Sequence, residues 1–194
     1  LYQKTMRASE AIAVLRYFPL RVGYVWTYAE RVLTAAQTVL LQRVVTLTIQ
    51  SKHTHEYVAH WDFQSGRTHL PNVRYRATED GVQQAQLTGD TVYTPFVYLL
   101  KVPLVVGTMW PALQGSRVRI SAVGLSCVVP AGTFAACVET LQDAEPTPES
   151  RVLTRRRFAP DVGLVWQQRR LFQYQTLARI DTMELQKLPE SLQL

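Results

Sequence analysis

The chain has 194 residues, 47% of them hydrophobic and 19% charged, a balance that supports a folded domain with its own core and excludes a disordered, charge-dominated chain. No run approaches the roughly 18 apolar residues that a membrane-spanning helix needs, so no transmembrane segment is expected. The formal charge is +6, but the 21 Lys and Arg are mostly scattered singly along strand-like segments, which speaks against a nucleic-acid partner.

Ala8, Ala11, Ile12 and Leu15 recur at helical spacing, and residues 1–17 are expected to form a short amphipathic helix or tethering arm that Pro19 ends. The sequence opens at Leu1 with no charged, apolar leader, so a processed or trimmed chain is expected. Strand signals follow. Residues 24–33 precede 38–50, where Val39, Leu41, Val45, Leu47 and Ile49 share one face, expected to be buried. Residues 55–63, 73–80 and 82–88 continue a meander broken by Ser65-Gly66, Asp80-Gly81 and Gly89-Asp90. At 93–104 the chain is uniformly apolar, and Pro95 and Pro103 argue for a loop with a short helical turn. Further strands are expected at 116–129, 134–143, 151–158, 164–174 and 177–188, with 144–150 as a polar hairpin tip or loose loop and 189–194 as a tail. The fold expected is mainly β: one strongly curved antiparallel sheet, a half-barrel, over residues 18–188 with two related halves. A parallel sheet would need helical crossovers that the sequence lacks.

One phrase recurs. "FPLRVGYVW" (18–26) is echoed by "VPLVVGTMW" (102–110) and, with one residue fewer between Pro and Gly, by "FAPDVGLVW" (158–166). Proline restricts the approaching chain, glycine permits a turn or close backbone contact, and tryptophan anchors the strand that follows. Trp26, Trp110 and Trp166 are therefore expected to be largely buried near strand starts.

These copies, with "VVPAGTF" at 128–134 between the second and third, resemble bacterial envelope proteins of a hypothetical lipoprotein family with repeated PLxVGxxW, VPAGTF and APxVGLV motifs. That family is similar in plan to the LolA and LppX type half-barrels, in which a curved antiparallel sheet wraps an apolar concavity. The resemblance covers about Phe18 to Leu185, and Asp161 stands where the family often has glycine. It implies a periplasmic or cell-surface protein, held at the outer membrane through a segment outside this chain, and no catalytic residues.

The candidate chemistry is sparse. A three-residue loop at Ala131, Gly132 and Thr133 puts Cys127 opposite Cys137, where a disulfide fits and implies an oxidising compartment; a two-residue loop breaks that register and leaves buried thiols. His53, His55, His60 and His69 cluster loosely with no carboxylate at fixed spacing, so neither a metal nor a cofactor is expected. Ser126 lacks the second glycine of a nucleophile elbow and no close carboxylate pair stands out, so no enzyme is expected. Two functions stay open. In one, Trp26, Val45, Leu47, Trp61, Phe96, Leu99 and Trp110 line a concavity that binds a lipid or acyl ligand. In the other, the chain is an accessory subunit docking an envelope protein partner. Arg155, Arg156 and Arg157, with Arg169 and Arg170 beside them, form either a basic patch for anionic lipid or a partner, or a solvated strand face.

Overall fold

The structure, a computed structural model, describes residues 14–63, 72–88, 91–92 and 94–188. A helical turn at 14–17 leads into β1 (Val25–Thr34), β2 (Val39–His53), β3 (Glu56–Phe63), β4 (Val73–Thr78), β5 (Gly81–Thr88), β6 (Thr91–Val92) and β7 (Val97–Lys101). The second half carries β8 (Met109–Pro111), β9 (Arg117–Val129), β10 (Gly132–Thr147), β11 (Ser150–Ala159), β12 (Gly163–Gln173) and β13 (Thr176–Lys187). Of the expected N-terminal helix only this last turn falls within the described residues; Ala8, Ala11 and Ile12 lie outside them, as do 189–194.

The expected curved antiparallel sheet forms, unclosed, in the order β6-β5-β4-β3-β2-β1-β13-β12-β11-β10-β9-β8, with β7 paired to β5 off that path. Every pairing is antiparallel. The two ends of the sheet approach each other: Trp110 Nε1 on β8 donates to Tyr98 O on β7 at 2.8 Å. Alternating residues of each strand fill the concave side, where Trp26, Tyr28, Leu47, Ile49, Leu100, Ile120, Phe158 and Leu185 are buried.

The repeated phrase sets strand entries. Gly23, Gly107 and Gly163 have φ of 88°, 94° and 103°, a backbone region that side chains disfavour, just before β1 and β8 and at the first residue of β12. The first and third copies also pack on each other. Trp26 Nε1 donates to Val162 O at 2.6 Å, and a Cβ on Gly163 would lie 3.1 Å from that indole nitrogen. Phe18 stacks on Trp26 at 5.8 Å and meets Phe158 edge-on at 6.3 Å. Asp161 takes φ 62°, a conformation aspartate tolerates, and its carboxylate accepts from the Arg16 guanidinium while its N–H donates to Arg16 O. Trp26 and Trp110 are 0% and 2% exposed, but Trp166 is half-buried, with Arg157 stacked 4.6 Å from its ring centroid. A register shift near the start of β12, where Phe158 pairs with Leu164 but Arg157 with Trp166, puts this tryptophan on the other face, beside Arg157 and Glu184.

Three local expectations are corrected. Residues 97–101 form a strand, not a loop with a helical turn, because Pro95 and Pro103 flank the run Val97–Lys101 and leave its N–H groups free to pair with β5. The start of β2 is not buried: Val39, Leu40 and Leu41 are 54%, 61% and 38% exposed, since this end of the hairpin runs past the core. Cys127 does not face Cys137. The β9–β10 hairpin closes at Val129 and Gly132, a two-residue loop whose Ala131 N–H is held by Leu185 O at 3.0 Å, so Cys127 pairs with Phe134. A bulge at Ala136, φ 57°, then shifts the register so that Cys137 pairs with Leu125.

Candidate functional site

On the concave side lies a cavity of about 190 Å³ lined by Phe18, Glu30, Val45, Leu47, Trp61, Phe63, Tyr75, Gln84, Leu99, Arg156, Leu164, Gln167 and Met183. Its apolar walls come from β2, β3, β7, β12 and β13, while half-buried Glu30, Trp61, Gln84, Arg156 and Gln167 mark its edge. A second cavity of about 190 Å³ shares Trp61, Tyr75 and Gln84 with it. Each is smaller than the roughly 300–1,000 Å³ of a drug-sized pocket but comparable to the roughly 150 Å³ space that admits a benzene ring. That volume is of the order of one short alkyl chain and well below that of a diacyl lipid.

Register explains the edge. Thr140, Arg156, Gln167, Met183, Glu30 and Arg43 are successive partners across β10, β11, β12, β13, β1 and β2, so one row spans the concave side at a single level. Glu30 in this row is paired with Arg43, which lies 3.7 Å from the Phe63 ring centroid. The Arg156 guanidinium has no carboxylate partner among the described residues: Nε donates to Gln167 Oε1 at 2.9 Å and Nη1 to Gln142 Oε1 at 3.1 Å. Burial pushes the Arg156 pKa down to about 10, the nearby Tyr75 hydroxyl opposes that shift, and Arg169 adds to it. It remains charged at neutral pH. Tyr75 in turn is pushed up by its own burial.

Of the concavity residues read from the sequence, Val45, Leu47, Trp61 and Leu99 meet at this cavity. Trp26 and Trp110 are instead structural, with their indoles committed to backbone carbonyls. Phe96 lies beside the Arg76 guanidinium, 3.9 Å from its ring centroid, and does not line the cavity. The arginines of the two basic segments do lie on paired strands, but alternation divides them. Arg156 and Arg169 share the inward-facing register, whereas Arg157 bonds Glu139 at 2.9 Å and Arg170 bonds Gln168 at 2.8 Å. Arg155 is exposed.

Cys127 and Cys137 are free, buried thiols. The two thiols nonetheless influence each other: their mutual hydrogen bonding is the largest cause for both, lowering the pKa of Cys127 and raising that of Cys137. Around the histidines, Glu56 is held by Arg76 at 3.0 Å and Arg74 at 3.3 Å, and His60 bonds Asn72. Among the described residues no group of three or more His, Cys, Asp or Glu gathers; His69 lies outside them.

The inward role of Arg156 was hidden by its flanking arginines. The signal was present in "VLTRRRF", where Val152, Thr154, Arg156 and Phe158 alternate with outward residues.

No family model matches the sequence, and no curated protein matches it. Two crystal structures are similar in fold. One is a candidate exported protein with a YmcC-like fold from Bacteroides fragilis, 14% identical over 88% of this chain and 97% of its own, at a TM-score of 0.50. The other is a candidate lipoprotein from Parabacteroides distasonis, 14% identical over 89% of this chain and 97% of its own, at a TM-score of 0.46. The chain thus shares its fold with the Bacteroides protein over nearly the whole length of both.

Proposed function

We propose that this is a non-catalytic protein of the bacterial cell envelope, periplasmic or lipid-anchored, whose concavity receives an acyl chain. The observation that carries the reading is the cavity walled by Val45, Leu47, Trp61, Phe63, Leu99, Leu164 and Met183, an apolar space that a tightly packed core of this size would fill. The exported character ascribed to the Bacteroides protein supports the compartment.

Thermal shift against straight-chain alcohols of increasing length tests the reading. A chain that binds the folded state alone stabilises it by about 2.7 kcal/mol at a hundredfold excess over its dissociation constant. The expected result is a rise in melting temperature to an optimum at short chains, then a decline once the cavity is filled. A flat response at every length contradicts it. The alternative, an accessory subunit docking a larger envelope assembly, draws support from the exposed Val39 and Leu40 on β2 and the 77% exposed Tyr174 in the β12–β13 turn. That reading requires the flat response.

A further inference from the structure

We propose that the ligand of this cavity is an acid: a single-chain amphiphile whose anionic end is bound by Arg156, with the Tyr75 hydroxyl beside it. The proposal rests on the acyl reading above and adds the head to the chain. Arg156 enters the apolar concavity from β11 and lines the same cavity as Val45, Leu47 and Leu99. A half-buried cation at an apolar wall is stabilised by an anion brought to it, because its charge is only partly solvated there. Here the matching groups are neutral amides, and the carboxylate nearest in the row, Glu30, is already taken by Arg43.

A second cation reinforces the first. Arg169 lies on the same face of β12 as Gln167, two residues further on, and depresses the Arg156 pKa further, while Asp181, its register partner, is bonded by Arg179 at 2.5 Å. Of the charged groups lining the cavity, Glu30 is paired with Arg43, whereas Arg156 has no carboxylate partner among the described residues, and Arg169, exposed two residues beyond Gln167, adds positive charge nearby. Nη2 of Arg156 and the Tyr75 hydroxyl have no hydrogen-bond partner among the described residues, so two donors remain for a ligand. Thr140, the register neighbour of Arg156 on β10, is fully buried and its hydroxyl is also without a partner. The planar fork of a guanidinium suits carboxylate and phosphate oxygens alike, and both are heads that single-chain amphiphiles carry.

Calorimetric titration with octanoate, octyl phosphate and octanol, on the whole chain and on Arg156→Gln, tests this. The wild-type protein is expected to bind at least one of the two acids tenfold or more tightly than octanol. Arg156→Gln should remove the preference for acids, bringing acid binding down to the level of octanol binding by the same variant. Whichever acid binds more tightly assigns the head as carboxylate or phosphate. If Arg156→Gln does not fold, Arg156→Lys, which keeps the charge but loses the fork, should retain part of the preference for acids. Equal binding of acids and alcohol by the wild-type protein overturns the acid proposal and leaves the acyl reading standing. Absence of binding by all three compounds overturns both.

Discussion

The third copy of the repeated phrase gives the most direct test at the scale of single residues, because Gly163 serves the first copy as well as its own strand. Its φ of 103° disfavours a side chain, and an added methyl would press on the Trp26 indole 3.1 Å away. Gly163→Ala is expected to cost about 1–3 kcal/mol in urea denaturation. Trp26→Ala, which empties a fully buried site, should cost about 3–5 kcal/mol. Loss in neither variant would show that the phrase is not architectural. Acid lability is also expected from single residues. Asp161 and Asp143 are held below the usual carboxylate range, chiefly by hydrogen bonds from Arg16 and Arg151. A folded pKa below the unfolded one contributes stability above the unfolded value, near 4, and that contribution disappears as pH falls through the folded value. Replacing both aspartates by Asn should therefore flatten the fall of melting temperature below about pH 4 while lowering it modestly at pH 7, since these pairs are largely exposed. An acid limb of unchanged slope would assign the lability to other carboxyls.

Among the elements, β7 separates packing from binding. Leu100 is fully buried, whereas its neighbour Leu99 lines the cavity. Leu100→Ala is expected to destabilise by about 2–5 kcal/mol without altering the preferred chain length. Leu99→Ala enlarges the cavity and should move that preference to a longer chain; an unmoved preference would place the chain elsewhere. The same strand shows what the sequence could and could not convey. Alternation marked Val45, Leu47 and Ile49 as inward, and turn dipeptides marked the hairpins, because both are local properties. The prolines at 95 and 103 gave a false signal: whether a proline interrupts or flanks a strand depends on which partner the intervening N–H groups meet. The hairpin register at Cys127 failed for a similar reason. Ala131 is held by Leu185, more than fifty residues away in the chain, and the bulge at Ala136 has no glycine to announce it. Arg156 was visible as a charge, but its place opposite Val45 and Leu47 depends on the curvature of the whole sheet. The mutual influence of the Cys127 and Cys137 thiols leads to a further expectation. Exported to an oxidising compartment, the protein should yield a joined Cys127–Cys137 peptide pair on mass mapping without reductant. Recovery of two free thiols would leave the compartment without support from its cysteines.

At the scale of the molecule, the described residues form a sheet curled far enough that β7 meets β8 through an indole hydrogen bond, yet left unclosed, with a largely polar row of side chains across its concave side. That geometry sets the Arg156 guanidinium beside an apolar space, and it is the basis for placing an acyl chain inside. Native mass spectrometry of the protein purified from a bacterial envelope, before and after organic extraction, tests this claim most directly. The expected result is a bound mass in the range of a single-chain acid that extraction removes, with a lower melting temperature for the emptied protein. A spectrum showing the chain's own mass alone before extraction, with the same melting temperature afterwards, would contradict it.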